Sequence, residues 1–116
     1  MSEIINNWVK EHGRDEGVLA LGVRYSAKLG FSASNAPEFP VPAVDNALRG
    51  LADAFAVLNV KRLPTGRLRW VYGNAVLHAA MRTDGACLGI FARKEPPTLE
   101  PDRVESLVAE FQTLPA

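Results

Sequence analysis

Cys87 and His78 are the first residues to ask about chemistry, because a thiol and an imidazole together can form a nucleophile and its base. They lie on two apolar runs, Ala75 to Arg82 and Ala86 to Arg93, joined across Thr83-Asp84-Gly85. Asp-Gly is a strong hairpin signal, and a two-residue loop there pairs Arg82 with Cys87 and His78 with Phe91. That register leaves Cys87 four residues along the strand from His78, roughly 13 Å away. The spacing therefore predicts no dyad. Cys87 reads as a small buried hydrophobe and His78 as a core or interface histidine. The two histidines, His12 and His78, are far apart in the chain, and with one cysteine no thiol cage for zinc can form. Neither GxxxxGK[ST] nor GxGxxG occurs, so no phosphate-cradling loop is expected. Asp45, Asp53, Glu105 and Glu110 read as the solvated sides of helices. Arg67 and Arg69 project from one side of a strand and could meet an anion, but stems packed over a helix are the preferred reading. Trp70 and Tyr72 read as core. No catalytic residue, cofactor or metal is expected, and the chain reads as a non-enzyme.

The elements that position these residues follow from periodicity. Ile4, Ile5, Trp8 and Val9 suit one face of a short first helix, with Ser2 as its cap and Gly13 as its stop. Val18 to Tyr25 reads as a strand and Leu29 to Ser34 as a second, turning at Ser26-Ala27-Lys28. Asn35 to Pro42 carries three prolines and reads as a linker. Arg67 to Tyr72 alternates after a turn at Leu63 to Gly66, with Leu68, Trp70 and Tyr72 on one face and Arg67, Arg69 and Val71 on the other. With the two-residue hairpin loop, Leu77, Ala79, Met81, Leu88, Ile90 and Ala92 share one face. Neither face of that hairpin is wet, which predicts strands inside a sheet covered on both sides. Glu95 to Glu100 reads as a rigid spacer, and Pro101 opens a last helix with Val104, Leu107, Val108, Phe111 and Leu114 in one stripe. The predicted order is α-β-β-α-β-β-β-α, an α+β architecture occupying residues 1–116 as one domain.

The helix expected over Val41 to Val60 has more apolar surface than one core can bury. Val44, Leu48, Leu51, Phe55 and Leu58 form a broad stripe at about 100° per residue. A second stripe of small residues, Ala43, Ala47, Gly50 and Ala54 with Val57 at its edge, lies beside it. Gly50 in mid-helix costs about 1 kcal/mol relative to alanine, which points to a close backbone contact there. The large stripe suits the chain's own sheet and the small one suits a second copy of the chain.

Composition limits the partners. The chain has 116 residues and a formal net charge of zero, with 47% hydrophobic residues. No apolar run reaches the roughly 18 residues that suggest a membrane span. The first residues lack the basic and apolar regions of a signal peptide, and one cysteine suits a reducing cytoplasm. Charge is uneven: between Lys61 and Lys94 seven basic residues face one acid, seven minus one or +6. The preferred reading places these arginines at a sheet edge against helix acids. A basic face for an acidic partner is the sharper one. Nucleic acid is disfavoured, because no RNA-binding aromatic motif, zinc knuckle or lysine-rich tail is present.

The element order, the alanine-rich helix VDNALRGLADAFAVL and the meander RLRWVYGNAVLHAAMRTDGACLGIFARKE resemble the roadblock-type domain family of dynein light chains and their bacterial and archaeal relatives. That resemblance implies a five-stranded antiparallel sheet, the long helix on one face and the N- and C-terminal helices on the other. It implies a homodimer in which long helices pack and strands near Arg67 to Tyr72 meet edge to edge. The expected dimer residues are Ala43, Ala47, Gly50, Ala54, Val57, Arg67, Arg69 and Val71. It also implies a platform for protein partners, such as a small Ras-like GTPase, in the bacterial or archaeal cytoplasm. The alternative is a small-ligand sensor of the PAS, GAF or profilin-like kind, which needs a pocket between sheet and helix.

Overall fold

Three amphipathic helices and five strands bury all their apolar faces at once only if the sheet lies between helices. The computed structural model describes residues 3–25, 30–60, 66–82 and 84–115, with the side chains of Asn59, Val60 and Tyr72 outside that description. Its elements are α1 (Glu3–His12), β1 (Val18–Arg24), β2 (Gly30–Ser34), α2 (Val41–Val60), β3 (Arg67–Tyr72), β4 (Ala75–Met81), β5 (Cys87–Arg93) and α3 (Pro101–Thr113). The strands form one antiparallel sheet in the order β2-β1-β5-β4-β3. β1 and β5 are central neighbours although most of the chain separates them. The expected α+β class, element order and placement of helices are those observed. The turns expected at 26–28 and 63–66 and the Ser2 cap fall wholly or partly outside the described residues.

α2 starts where the carbonyl of Pro40 accepts from the N–H groups of Ala43 and Val44, at 2.9 and 3.1 Å. Pro42 lies in that first turn, where an N–H has no helical partner to lose. Val44, Leu48, Leu51 and Phe55 are buried, and Leu58 is half-buried at the end of the stripe. Leu48 sits in a notch. Gly22 and Gly89 face each other across β1 and β5, and a Cβ on either would lie 2.6 or 2.7 Å from a Leu48 methyl. The missing side chains let α2 approach the sheet closely.

On the opposite face, Ile5, Trp8 and Val9 of α1 and Val104, Leu107, Val108 and Phe111 of α3 share one core with Leu21, Val23, Leu88 and Ile90. The helices are also joined by polar contacts. The Trp8 indole N–H donates to Glu110 at 3.1 Å, and Arg103 reaches the Asp15 carboxylate at 2.5 Å. Ile4 departs from expectation: it is 54% exposed. The buried stripe centres on Ile5 and Val9, and Ile4 falls at its margin.

One further expectation is corrected and two are sharpened. The β4–β5 hairpin pairs Met81 with Cys87, one residue away from the predicted register. The N–H of Arg82 donates to the carbonyl of Ala86, so three residues rather than two form the loop, with Gly85 at φ +92°. A three-residue loop ending in a left-handed glycine accounts for the slip. Slipping by one exchanges the partners on each face, so Leu88, Ile90 and Ala92 share a core with Val76 and Ala80, while Leu77 and Ala79 pack with Cys87 and Phe91. Gly13 directly follows α1, as expected of its stop, and it also allows a close approach: a Cβ there would lie 2.7 Å from that of Ala33. Finally, residues 95–100, expected as a rigid spacer, are tied back by hydrogen bonds. Asn74 exchanges hydrogen bonds with the backbone of Glu95, and the Thr98 hydroxyl donates to Gly17 at 2.8 Å while accepting from the Arg93 N–H.

Candidate functional site

The residues with nucleophilic chemistry are not assembled. His78 pairs in register with Arg69 and Ile90, whereas Cys87 pairs with Met81, three residues along β4 and roughly 10 Å away. They also point to opposite faces of the sheet, His78 toward the terminal helices and Cys87 toward α2. Burial raises the Cys87 thiol to about 11, so at neutral pH it is a protonated core group. Among the described residues no group of three or more His, Cys, Asp or Glu side chains is arranged to hold a metal ion.

Three of the four helix acids read as merely solvated have definite partners. Asp45 accepts from the Ser32 hydroxyl at 2.6 Å, Glu110 from Trp8, and Glu105 takes both arms of Arg67 at 2.9 and 2.8 Å. Only Asp53 fits the solvated reading among the described residues. Asp15 has two partners, His12 and Arg103. Burial raises its carboxyl, but hydrogen bonds and charge from His12 and Arg103 outweigh that and hold it below the usual range.

The outer side of α2 is the part of the molecule left unfinished. Ala43, Gly50 and Val57 are exposed, Ala47 and Ala54 half-buried, and Val57 shows 58% of its surface. No atom outside Gly50's immediate surroundings lies within 4 Å of where its Cβ would be. The close contact that its presence suggested is thus not made within the described part of this chain. α2 runs mainly over β2, β1 and β5. The same side of β3 carries Leu68 and Trp70, half-buried at the rim of the α2 core. β3 itself is an edge strand, with a neighbour on one side only.

Of the expected dimer residues, the structure brings together those on α2 and separates them from those on β3. Arg67, Arg69 and Val71 alternate with Leu68 and Trp70 and point to the terminal-helix face, away from the small stripe. Their strand joins the α2 side through its backbone edge and through Leu68 and Trp70. Those two residues were missed as surface candidates because they read as core. Strand alternation gave their face, but only the position of α2 shows that they lie at the rim of its cover. No helix among the described residues is long and apolar enough to cross a membrane.

This arrangement of sheet and helices is found in solved structures. Myxococcus xanthus MglB superposes with a TM-score of 0.65 at 10% identity, over 93% of this chain and 88% of that one. A Roadblock/LC7 domain from Streptomyces avermitilis superposes with a TM-score of 0.56 at 11% identity, over 93% of this chain and 98% of that one. No family model and no curated protein matches the sequence. The chain has the roadblock-type fold.

Proposed function

We propose that this roadblock-type fold serves as a non-enzymatic, homodimeric interaction domain of the cytoplasm, with the outer side of α2 and the β3 edge as its self-association surface. The observation that carries the reading is the open, small-residue side of α2 at Ala43, Gly50 and Val57 beside an unpaired strand edge. Exposed edges invite pairing with another strand, and a glycine on a helix surface allows a second backbone to come near. A twofold arrangement would extend the sheet through two β3 strands. It would also place Leu68 and Trp70 under the paired helices, while Arg67, Arg69 and Val71 flank the seam on the other face. The resemblance to roadblock-type domains supports a small Ras-like GTPase as the partner of that dimer.

Light scattering tests the assembly. A particle of twice the 12.6 kDa chain mass is expected, and a monomer at every concentration overturns the reading. Gly50→Leu should abolish dimerisation while leaving the circular dichroism spectrum unchanged, since a Cβ there meets no described atom within 4 Å beyond the surrounding helix backbone. A dimer that survives this change removes α2 from the interface.

A further inference from the structure

The terminal-helix face carries a second feature unrelated to α2. α1 packs on β1 and β2, and α3 packs on β5, so the β3–β4 end of that face is open. A groove of about 550 Å³ lies there, between β3, β4, the 94–101 segment and α3. Its size falls within the range of small-molecule sites, about 300–1,000 Å³.

Its lining is divided by chemistry. Arg67 and Arg69 stand on the same side of β3, about 7 Å apart along the strand. The Arg67 fork is occupied by Glu105. Arg69 has no ion pair among the described residues, and neither has Lys94 at the far end. His78 faces Arg69 across the β3–β4 register. Burial, then the charges of Arg69 and Arg67, push its imidazole below the usual histidine range, so at neutral pH it is an uncharged ring with one N–H to donate. Glu105 is the acid facing this ring, and it acts in the opposite direction. The rest of the lining is Arg93, which pairs with Glu38 at 3.9 Å, and an apolar bed of Leu68, Val76, Leu99 and Val104 with two prolines.

An apolar bed flanked by cations, with Arg69 beside His78 at one end, fits an amphiphilic anion. We propose that this groove binds a small amphiphilic anion, its carboxylate or phosphate on Arg69 and His78 and its apolar body over Val76, Leu99 and Val104. A guanidinium with no carboxylate partner recognises either head group by paired hydrogen bonds. The Arg67–Glu105 pair is solvent-exposed on both sides, so it is weak and exchangeable, and Glu105 competes with the ligand for Arg67. The site goes beyond the dimer reading and does not require it: side chains stand perpendicular to a sheet, so strand pairing at the β3 edge leaves Arg69 clear. It meets the requirement set for the ligand-sensor alternative, a pocket between sheet and helix, on the face opposite α2.

The test is an amide NMR titration of the full chain at neutral pH with octanoate and octyl phosphate below their micellar concentrations. Octanol serves as the tail alone and inorganic phosphate as the head alone. Saturable shifts confined to β3, β4 and the start of α3 are expected with at least one of the two anions, with octanol and phosphate each binding about tenfold more weakly or less. Arg69→Gln should weaken binding about tenfold, and Glu105→Gln should tighten it severalfold by releasing Arg67. The gain in Glu105→Gln cannot arise from misfolding, and the dispersed spectrum of Arg69→Gln checks its fold. The His78 imidazole should titrate at higher pH when the anion is bound. Equal binding of octanol, an unchanged Arg69→Gln affinity, or no saturable shift with either anion overturns the proposal.

Discussion

The two faces of the sheet are built differently. The terminal-helix face is covered, except at its β3–β4 end, by two helices that are tied together through Trp8 to Glu110 and through Arg103 to Asp15, just past α1 and beside His12. The α2 face is closed by one helix, seated by shape in the Gly22–Gly89 notch. Polar links thus hold α1 and α3 to one another as well as to the sheet. α2 carries its apolar character past the buried stripe, so its layer ends in a surface of small residues. A single helix seated by complementary shape, with the Asp45–Ser32 hydrogen bond as its polar link to the sheet, leaves its small-residue back uncovered.

The largest effects should come from the two cores. Phe55→Ala on the α2 side and Phe111→Ala on the other should each cost about 3–5 kcal/mol in urea unfolding, since both rings are buried and each deletion leaves a cavity. A much smaller cost on one side would mean that the two layers do not unfold as one unit. Next comes the notch. Gly89→Val should cost about 1–3 kcal/mol by forcing Leu48 and Leu77 apart. An unchanged midpoint would show that α2 is not closely seated.

The smallest effect is pH-dependent and belongs to the clamped face. The Asp15 carboxyl is held below its unfolded value, so the folded chain binds this proton more weakly than the unfolded chain does. Its stabilisation is therefore complete above about pH 4, the ordinary aspartate value, and is lost as pH falls through the lower folded value. Asp15→Asn should flatten that part of the acid-unfolding curve while leaving the α2-side variants' behaviour unaltered. An acid limb identical to that of the unaltered chain would remove Asp15 from the clamp.

How far the sequence could be read depended on the kind of signal. Stripes at helical spacing gave α2 and α3 within the described residues, because Val44, Leu48, Leu51 and Phe55 recur every three to four positions and nothing else satisfies that spacing. Alternation gave the faces of β3 for the same reason. The β4–β5 register was not legible: Asp84-Gly85 announces a turn, yet two- and three-residue loops share that signature and differ by one position on every pair. Partners of the helix acids were equally hidden, since Glu105 and Arg67 are 38 positions apart.

The chain's own order of residues determined which surfaces must be covered: an apolar stripe has to leave water wherever the chain takes it, so helices, strands and their inward sides follow from local spacing. Tertiary structure alone decided which surfaces were left over. Only the packing of α2 over β2, β1 and β5 leaves Leu68 and Trp70 at the rim of its cover, and only the placing of α3 on β5, across an open gap from β3, makes a groove from Arg69, His78 and Val104. Those meetings join residues distant along the chain, and no local periodicity encodes how far apart two folded elements will lie.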